Sequence, residues 1–272
     1  MTLRLFAAWL SISLTTIAPA SVAAQDMRLP FAEAVRAGDM LYLSGQIGIA
    51  PGASKPVTGG LPAEARQTMD NIGTTLRRNG LGFGDVVKCM VMMTDMRRWG
   101  EFNQVYLSYF PPGPLPARSA IGANALALGA EVEIECMARF PAAAPRAVLA
   151  GSTLGPYSHA VAANGLLFVS GVIPFDVAAK RFAARDMPSQ MARALANLDA
   201  VLTASGAKRG DIVRTTLYLR NAGDKPTADM AYAAWFEGTT LPARTTVPGV
   251  DWGRDDLLVE IDAIAVVPGA TR

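Results

Sequence analysis

Histidine is nearly absent from the 272-residue sequence, and His159 is the only one. A single imidazole leaves a Ser/His or Cys/His nucleophile system one possible base and a zinc site too few ligands, so no metal is expected. Cysteine is almost as scarce, with Cys89 in VVKCMVMMTD and Cys136 in VEIECMARF. Both sit in strand-like apolar runs, where buried free thiols are the expected state, although an oxidising compartment would let them pair. An excess of either charge is also missing: 25 Lys and Arg against 23 Asp and Glu leave a formal +2. With no basic stripe, nucleic acid and anionic membrane surfaces have no electrostatic footprint. The N-terminal apolar run over 5–18 falls short of the ~20 residues of a membrane-spanning helix. It follows Arg4 and precedes the small residues Val22-Ala23-Ala24, the pattern of a signal peptide over 1–24 cleaved on export. A secreted or periplasmic protein without further membrane contact is expected.

What the sequence does contain, it contains twice. LYLSGQIG begins at Leu41 and LFVSGVIP at Leu167, an offset of 126 residues (167 − 41). The same offset relates Asn71 to Asn197, GDVVKCMVMMTDM at Gly84 to GDIVRTTLYLRNA at Gly210, and Arg118 to Arg244. Only the closing strands, VEIE at Val132 and VEID at Val259, slip by one residue. The chain therefore reads as two tandem domains, 25–141 and 151–272, joined by a Pro/Ala-rich linker at 142–150. Each copy shows period-2 strands around Ser-Gly, then a helix with Ala65, Met69, Ile72 and Leu76, or Met191, Leu195, Leu198 and Leu202, on one face. A strand, a second helix anchored by Phe102, Tyr106 and Phe110, or Tyr232, Trp235 and Phe236, and the closing strand follow. That order predicts an α+β fold, each domain a mixed sheet with two helices on one face.

Two local patterns carry no function. NGLGFGD at 79–85 follows a helix and precedes a strand, the reverse of a dinucleotide fingerprint. KRGD at Lys208 occupies the same turn in the second copy. The chemistry lies elsewhere. PPGPLPARSAIG and TTLPARTTVPG place Arg118 and Arg244 behind rigid Leu-Pro-Ala segments, and a guanidinium fork suits a carboxylate. In the closing strands Glu133 and Glu135, or Glu260 and Asp262, share the face opposite the apolar residues, so they face solvent or a partner. An acid near such an arginine can handle protons.

PYSHAV, LFVSG, EFNQVYLSYF, PARSAIG and VEIE together resemble the Rid family of reactive intermediate deaminases (RidA, YjgF), over nearly all of the chain beyond the signal segment. The resemblance implies chorismate-mutase-like domains packed in threes around a barrel of sheets, with clefts between neighbouring domains. It implies hydrolysis of small carboxylate-bearing 2-imino acids and enamines to 2-oxo acids and ammonium, as in a 2-iminobutanoate/2-iminopropanoate deaminase, without metal or organic cofactor. Arg118 and Arg244 match the carboxylate-binding arginine, Glu133 and Glu260 the water-positioning glutamate, and Tyr157 the cleft tyrosine, which is Phe31 in the first copy. Asn103 and Asp229 match the cleft asparagine, and Ser44-Gly45 and Ser170-Gly171 the backbone corners; His159 falls at a non-catalytic polar position. A homo-oligomer is expected, a trimer of two-domain chains forming two rings, like with like or mixed. If like domains meet, the second copy combines Tyr157, Arg244 and Glu260 and is the better catalyst. The alternatives are an exported ligand-binding or scaffold module without turnover, and a specialised hydrolase acting on a cyclic or aromatic carboxylate.

Overall fold

The computed structural model describes residues 30–140, 147–149 and 153–267. The expected signal segment and most of the expected linker lie outside them. In the first copy the elements are β1 (Ala34–Ala37), β2 (Met40–Leu43), β3 (Gln46–Ile47), α1 (Leu61–Arg78), β4 (Val86–Met93), α2 (Trp99–Leu107), β5 (Ala117–Gly122) and β6 (Val132–Arg139). The second copy runs β7 (Ala147–Leu149), β8 (Ala160–Ala163), β9 (Leu166–Val172), β10 (Phe175–Asp176), β11 (Arg181–Phe182), α3 (Met187–Ala204), β12 (Ile212–Leu219), α4 (Lys225–Trp235), β13 (Ala243–Pro248) and β14 (Val259–Val266). Residues 147–149, expected in the linker, instead add β7 to the edge of the second sheet through β8.

The helices form where the periodic apolar positions predict them. Leu61, Ala65, Met69, Ile72 and Leu76 bury one stripe of α1, and Met187, Met191, Leu195, Leu198 and Leu202 the matching stripe of α3. Asp186 starts α3 by accepting the Ser189 amide at 2.8 Å, with Pro188 in the first turn. Asn71 donates to the carbonyls of Ile47 and Ile49, and Asn197 to those of Ile173 and Phe175. The duplicated asparagine thus ties each first helix to the strand segment beyond Ser-Gly.

Among the described residues the strands form two six-stranded mixed sheets, ordered β1-β2-β6-β4-β5 with β3 also on β6, and β13-β12-β14-β9-β8-β7, while β10 and β11 pair antiparallel as a separate hairpin. Within them only β4–β5 and β12–β13 run parallel. The helices cover one face of each sheet, burying Val132, Ile134, Cys136 and Ala138 of β6, and Val259, Ile261, Ala263 and Ala265 of β14.

The opposite faces of the two sheets meet. Met40, Val87, Ala117, Val161 and Phe168 close one apolar cluster across the domain boundary, and Ile121, Tyr218, Val250 and Trp252 another. Edge strand β5 is tied to the second domain: Ser158 N donates to Pro116 O at 3.1 Å and Gly122 N to Asp251 O at 2.6 Å. Arg118 N donates to Ser170 Oγ at 2.8 Å, which in turn donates to Ser158 O at 2.5 Å.

One expectation is corrected here. Cys89 and Cys136 are not free thiols but a disulfide. They sit directly opposite each other on antiparallel β4 and β6, on the face turned to the helices, a register that places their Cβ atoms within bonding reach.

Candidate active site

The Ser-Gly corner is a β-bulge. Ile261 pairs with Val172 and Ala263 with Val169, so Ser170 and Gly171 together face Asp262 across the ladder. The bulge presses Gly171 against Glu260, and a Cβ at Gly171 would collide with Glu260 Oε1. Gly45 stands in the same relation to Glu133. Glycine at both positions follows from that close approach.

Glu260 is buried on β14. Its Oε2 accepts the Trp252 indole N–H at 2.8 Å, and the Ala120 amide of β5 also reaches the carboxylate. Burial raises its pKa to about 8, against the opposing pull of the Trp252 bond. The neighbouring Asp262 is held the other way. Burial works to raise its pKa, but the Lys88 ammonium at 2.8 Å, Ser119 Oγ at 3.0 Å and the Thr216 amide at 3.2 Å outweigh it and keep the carboxylate ionised. Adjacent acids on one sheet face thus have opposite proton affinities.

Arg118 supplies the positive charge. It is only 2% exposed, and its Nε, Nη1 and Nη2 lie buried without a hydrogen-bond partner among the described residues. The guanidinium lies 4.3 Å from the Trp99 ring centre, 4.7 Å from that of Tyr106 and 5.5 Å from that of Tyr157. These ring faces offset part of its desolvation. Burial still depresses its pKa to about 10, while Tyr106, Tyr157 and Glu260 act in the opposite sense. Burial, and then the Glu260 charge, push the Tyr157 phenol up and keep it protonated. Asn103 stands one turn from Trp99 on α2, with a buried Oδ1 that also lacks a partner among the described residues.

The second copy treats its arginine differently. Arg244 stands on edge strand β13, with Nη2 2.6 Å from Asp229 Oδ1. Lys225 holds the other oxygen of Asp229 at 2.6 Å. That bond, with Arg244 beside it, lowers the Asp229 pKa. Arg244 is therefore already paired with an internal carboxylate, which it shares with Lys225.

The structure thus brings Arg118 of the first copy together with Tyr157, Ser170, Gly171 and Glu260 of the second, with Asn103 one turn along α2 from Trp99, which stacks on the Arg118 guanidinium. The like-with-like grouping of Tyr157 and Glu260 with Arg244 is not the one found. The reason is chain connection: β5 of the first domain, not β13, lies on the Ser158–Ser170 segment. Arg244, Asp229, Ser44, Gly45 and Glu133 remain outside this cleft, and Phe31 is exposed. The acidic faces divide accordingly. Glu260 and Asp262 are buried against the first domain, whereas Glu133 is half-buried and Glu135 exposed. Burial, then the Glu135 charge, raise the Glu133 pKa. Trp99, Tyr106, Trp252, Ser119 and Lys88 belong to the same neighbourhood without having been singled out for it; the aromatic run 99–110 and the DWG at 251–253 were the available signals.

The Endoribonuclease L-PSP family model matches residues 22–140 and again 149–267. The chain belongs to this family, as two tandem Rid domains. Rid relatives include the 2-iminobutanoate/2-iminopropanoate deaminase of Mus musculus, 40% identical over 46% of this chain and 87% of its own length. The protein of that name from Rattus norvegicus is 39% identical over 46% of this chain and 85% of its own. A solved Yersinia pestis structure of the conserved Rid protein family is 36% identical over 45% of this chain and 100% of its own, with a TM-score of 0.42.

Proposed function

We propose that the cleft between the two domains hydrolyses 2-imino acids to 2-oxo acids and ammonium. The observation that carries this reading is the buried guanidinium of Arg118, whose nitrogens have no hydrogen-bond partner among the described residues and which feels the charge of Glu260, an acid with a pKa of about 8. An unmatched buried cation is unfavourable unless an anion arrives, and the fork of Arg118 takes a substrate carboxylate bidentately. The imine carbon then lies near Glu260. Water adds to that carbon, its oxygen forming the new C–O bond as the C=N electrons move to nitrogen. A proton passes by way of Glu260 from the adding water to the nitrogen, giving a carbinolamine. As the C–N bond breaks, its electron pair stays on nitrogen, a lone pair of the new hydroxyl forms the C=O bond, and the hydroxyl proton passes by the same route to the departing nitrogen. Ammonia thus leaves with the 2-oxo acid and becomes ammonium by taking a proton from water. A carboxyl with a pKa of about 8 is suited to both directions of that transfer near neutral pH. The names of the deaminase relatives support the reaction type. The test is 2-oxo acid release from imines generated by an amino-acid oxidase: this protein accelerates release, and no acceleration with any of several amino acids rejects the reading.

The protein is further proposed to work as an exported homo-oligomer. The N-terminal pattern and the Cys89–Cys136 disulfide both suit an oxidising compartment. The domain junction supports association by its own repetition. Val161, Phe168 and Val87 are buried in it, yet their duplicates Val35, Tyr42 and Val213 are 58%, 41% and 45% exposed. Exposed apolar positions that repeat a buried interface fit a second copy, placing Arg244 of one chain against Ser44, Gly45 and Glu133 of another. Light scattering tests this, and a strict monomer rejects it.

A further inference from the structure

The second domain carries a cavity of about 320 Å³ beside the cleft, bounded by Tyr157, Ser170 and Gly171. These are the residues that face Arg118 and Glu260. Beyond them its walls are mostly apolar, built from Val172, Ile173 and Phe175 after the bulge and from Val201 of α3, with Ala200 and Ala204 at the mouth and Thr153, His159 and Asn197 as the polar members of the lining. An apolar cavity of ~150 Å³ already accommodates benzene.

The duplication supplies the comparison. At the matching positions the first copy has Gln46 for Val172, Thr74 for Ala200, Thr75 for Val201 and Arg78 for Ala204. Arg78 forms an ion pair with Glu33 at 2.8 Å, and Glu33 is the duplicate of His159 in the cavity wall. One copy therefore places a salt bridge and hydroxyls where the other keeps an open apolar space. The space lies in the domain that contributes Glu260 and Tyr157 to the cleft.

We infer that this cavity receives the substrate's side chain, so that the enzyme prefers 2-imino acids with bulky apolar side chains, branched or aromatic, over 2-iminopropanoate. The inference rests on the cleft reading above. With the carboxylate on Arg118 and the imine carbon at Glu260, the side chain is the group left to pass Gly171 into the cavity. A hydrophobic pocket discriminates by ~10-fold or more per methylene filled.

The test measures kcat/KM on imines generated from alanine, leucine and phenylalanine. The wild type should favour the leucine and phenylalanine imines by ~10-fold or more. Ala204→Arg and Ala200→Phe, both at exposed positions, should each remove that preference while leaving the alanine imine within ~2-fold. Thermal melts check that both variants fold, and either folded variant suffices. No preference in the wild type, or one unchanged by both substitutions, overturns the inference while leaving the deaminase reading intact. Calorimetry with pyruvate and 4-methyl-2-oxopentanoate separates the two readings if no imine is turned over. Tighter binding of the branched acid, lost in Ala204→Arg, then supports the cavity and rejects turnover, and equal binding rejects the cavity.

Discussion

Replacing Arg118 and Arg244 by alanine in turn distinguishes the two copies. Arg118 is buried with all three guanidinium nitrogens unpartnered among the described residues, so its charge is available to a ligand. Losing one member of a buried charge pair costs ~2–5 kcal/mol. At 1.4 kcal/mol per decade, kcat/KM for an imine should fall between ~30-fold and several thousand-fold. Arg244 instead neutralises Asp229 at 2.6 Å, with side-chain exposures of 22% and 34%. Partly exposed pairs of this kind are worth ~0.2–1 kcal/mol, so Arg244→Ala should change kcat/KM by less than ~5-fold. Arg118→Lys keeps the charge but loses the fork and should fall between the two. The assay is 2-oxo acid release coupled to an amino-acid oxidase, with melting curves for each variant. Equal losses from the two alanine variants, or a larger loss from Arg244→Ala, would refute the reasoning.

Titration of Glu260 should appear in both binding and stability. Its folded pKa of about 8 lies above the ordinary ~4.3. Ionisation adds a negative charge near the substrate carboxylate, so the affinity for 2-oxobutanoate should fall as pH rises through about 8, and Glu260→Gln should flatten the profile. By linkage, the contribution of the protonated form to stability is complete below ~4.3 and lost as pH rises to about 8. Denaturant midpoints of the wild type should therefore decline across that window relative to the glutamine variant. Reducing the Cys89–Cys136 bond, which spans 47 residues, should lower unfolding stability by ~2–4 kcal/mol; non-reducing mass spectrometry should show the native chain two hydrogens lighter, and an unchanged mass excludes the bond. Lys88→Met leaves Asp262 buried without its ammonium, where Lys88 and Asp262 are 8% and 11% exposed. Loss of stability of ~3–5 kcal/mol is expected in urea melts, and an unchanged midpoint would count against the buried pair.

The constant spacing of Leu41 and Leu167, Asn71 and Asn197, and Arg118 and Arg244 made the duplication and the α+β architecture legible, because periodic burial is a local property of the chain. The alternation in VEIE and VEID likewise placed the acids opposite the core. What could not be read was which equivalent positions meet. Repeats define equivalence, not contact, so the sequence leaves open whether Tyr157 and Glu260 meet Arg244, as they would if like domains met, or Arg118; β5 carries Arg118 to them. Pairing of Cys89 with Cys136 depends on the register of β4 against β6, which alternation within either strand leaves undetermined. Trp252 sits outside any helix or strand and gave no periodic signal. Trp99 lay in an aromatic run that reads equally well as helix packing. The substitutions from Arg78 to Ala204 and from Thr75 to Val201 were visible in sequence, but acquire meaning only once the space they leave is seen.

A double-mutant cycle on imine hydrolysis most directly tests the claim that one cleft spans both domains. Arg118→Ala and Glu260→Gln act on the same substrate from different domains, so their effects on kcat/KM should be strongly non-additive, with Glu260→Gln adding little once Arg118 is gone. Glu133→Gln, outside the cleft, should simply add to Arg118→Ala. Coupling of Arg118 to Glu133, with independence from Glu260, would contradict the account.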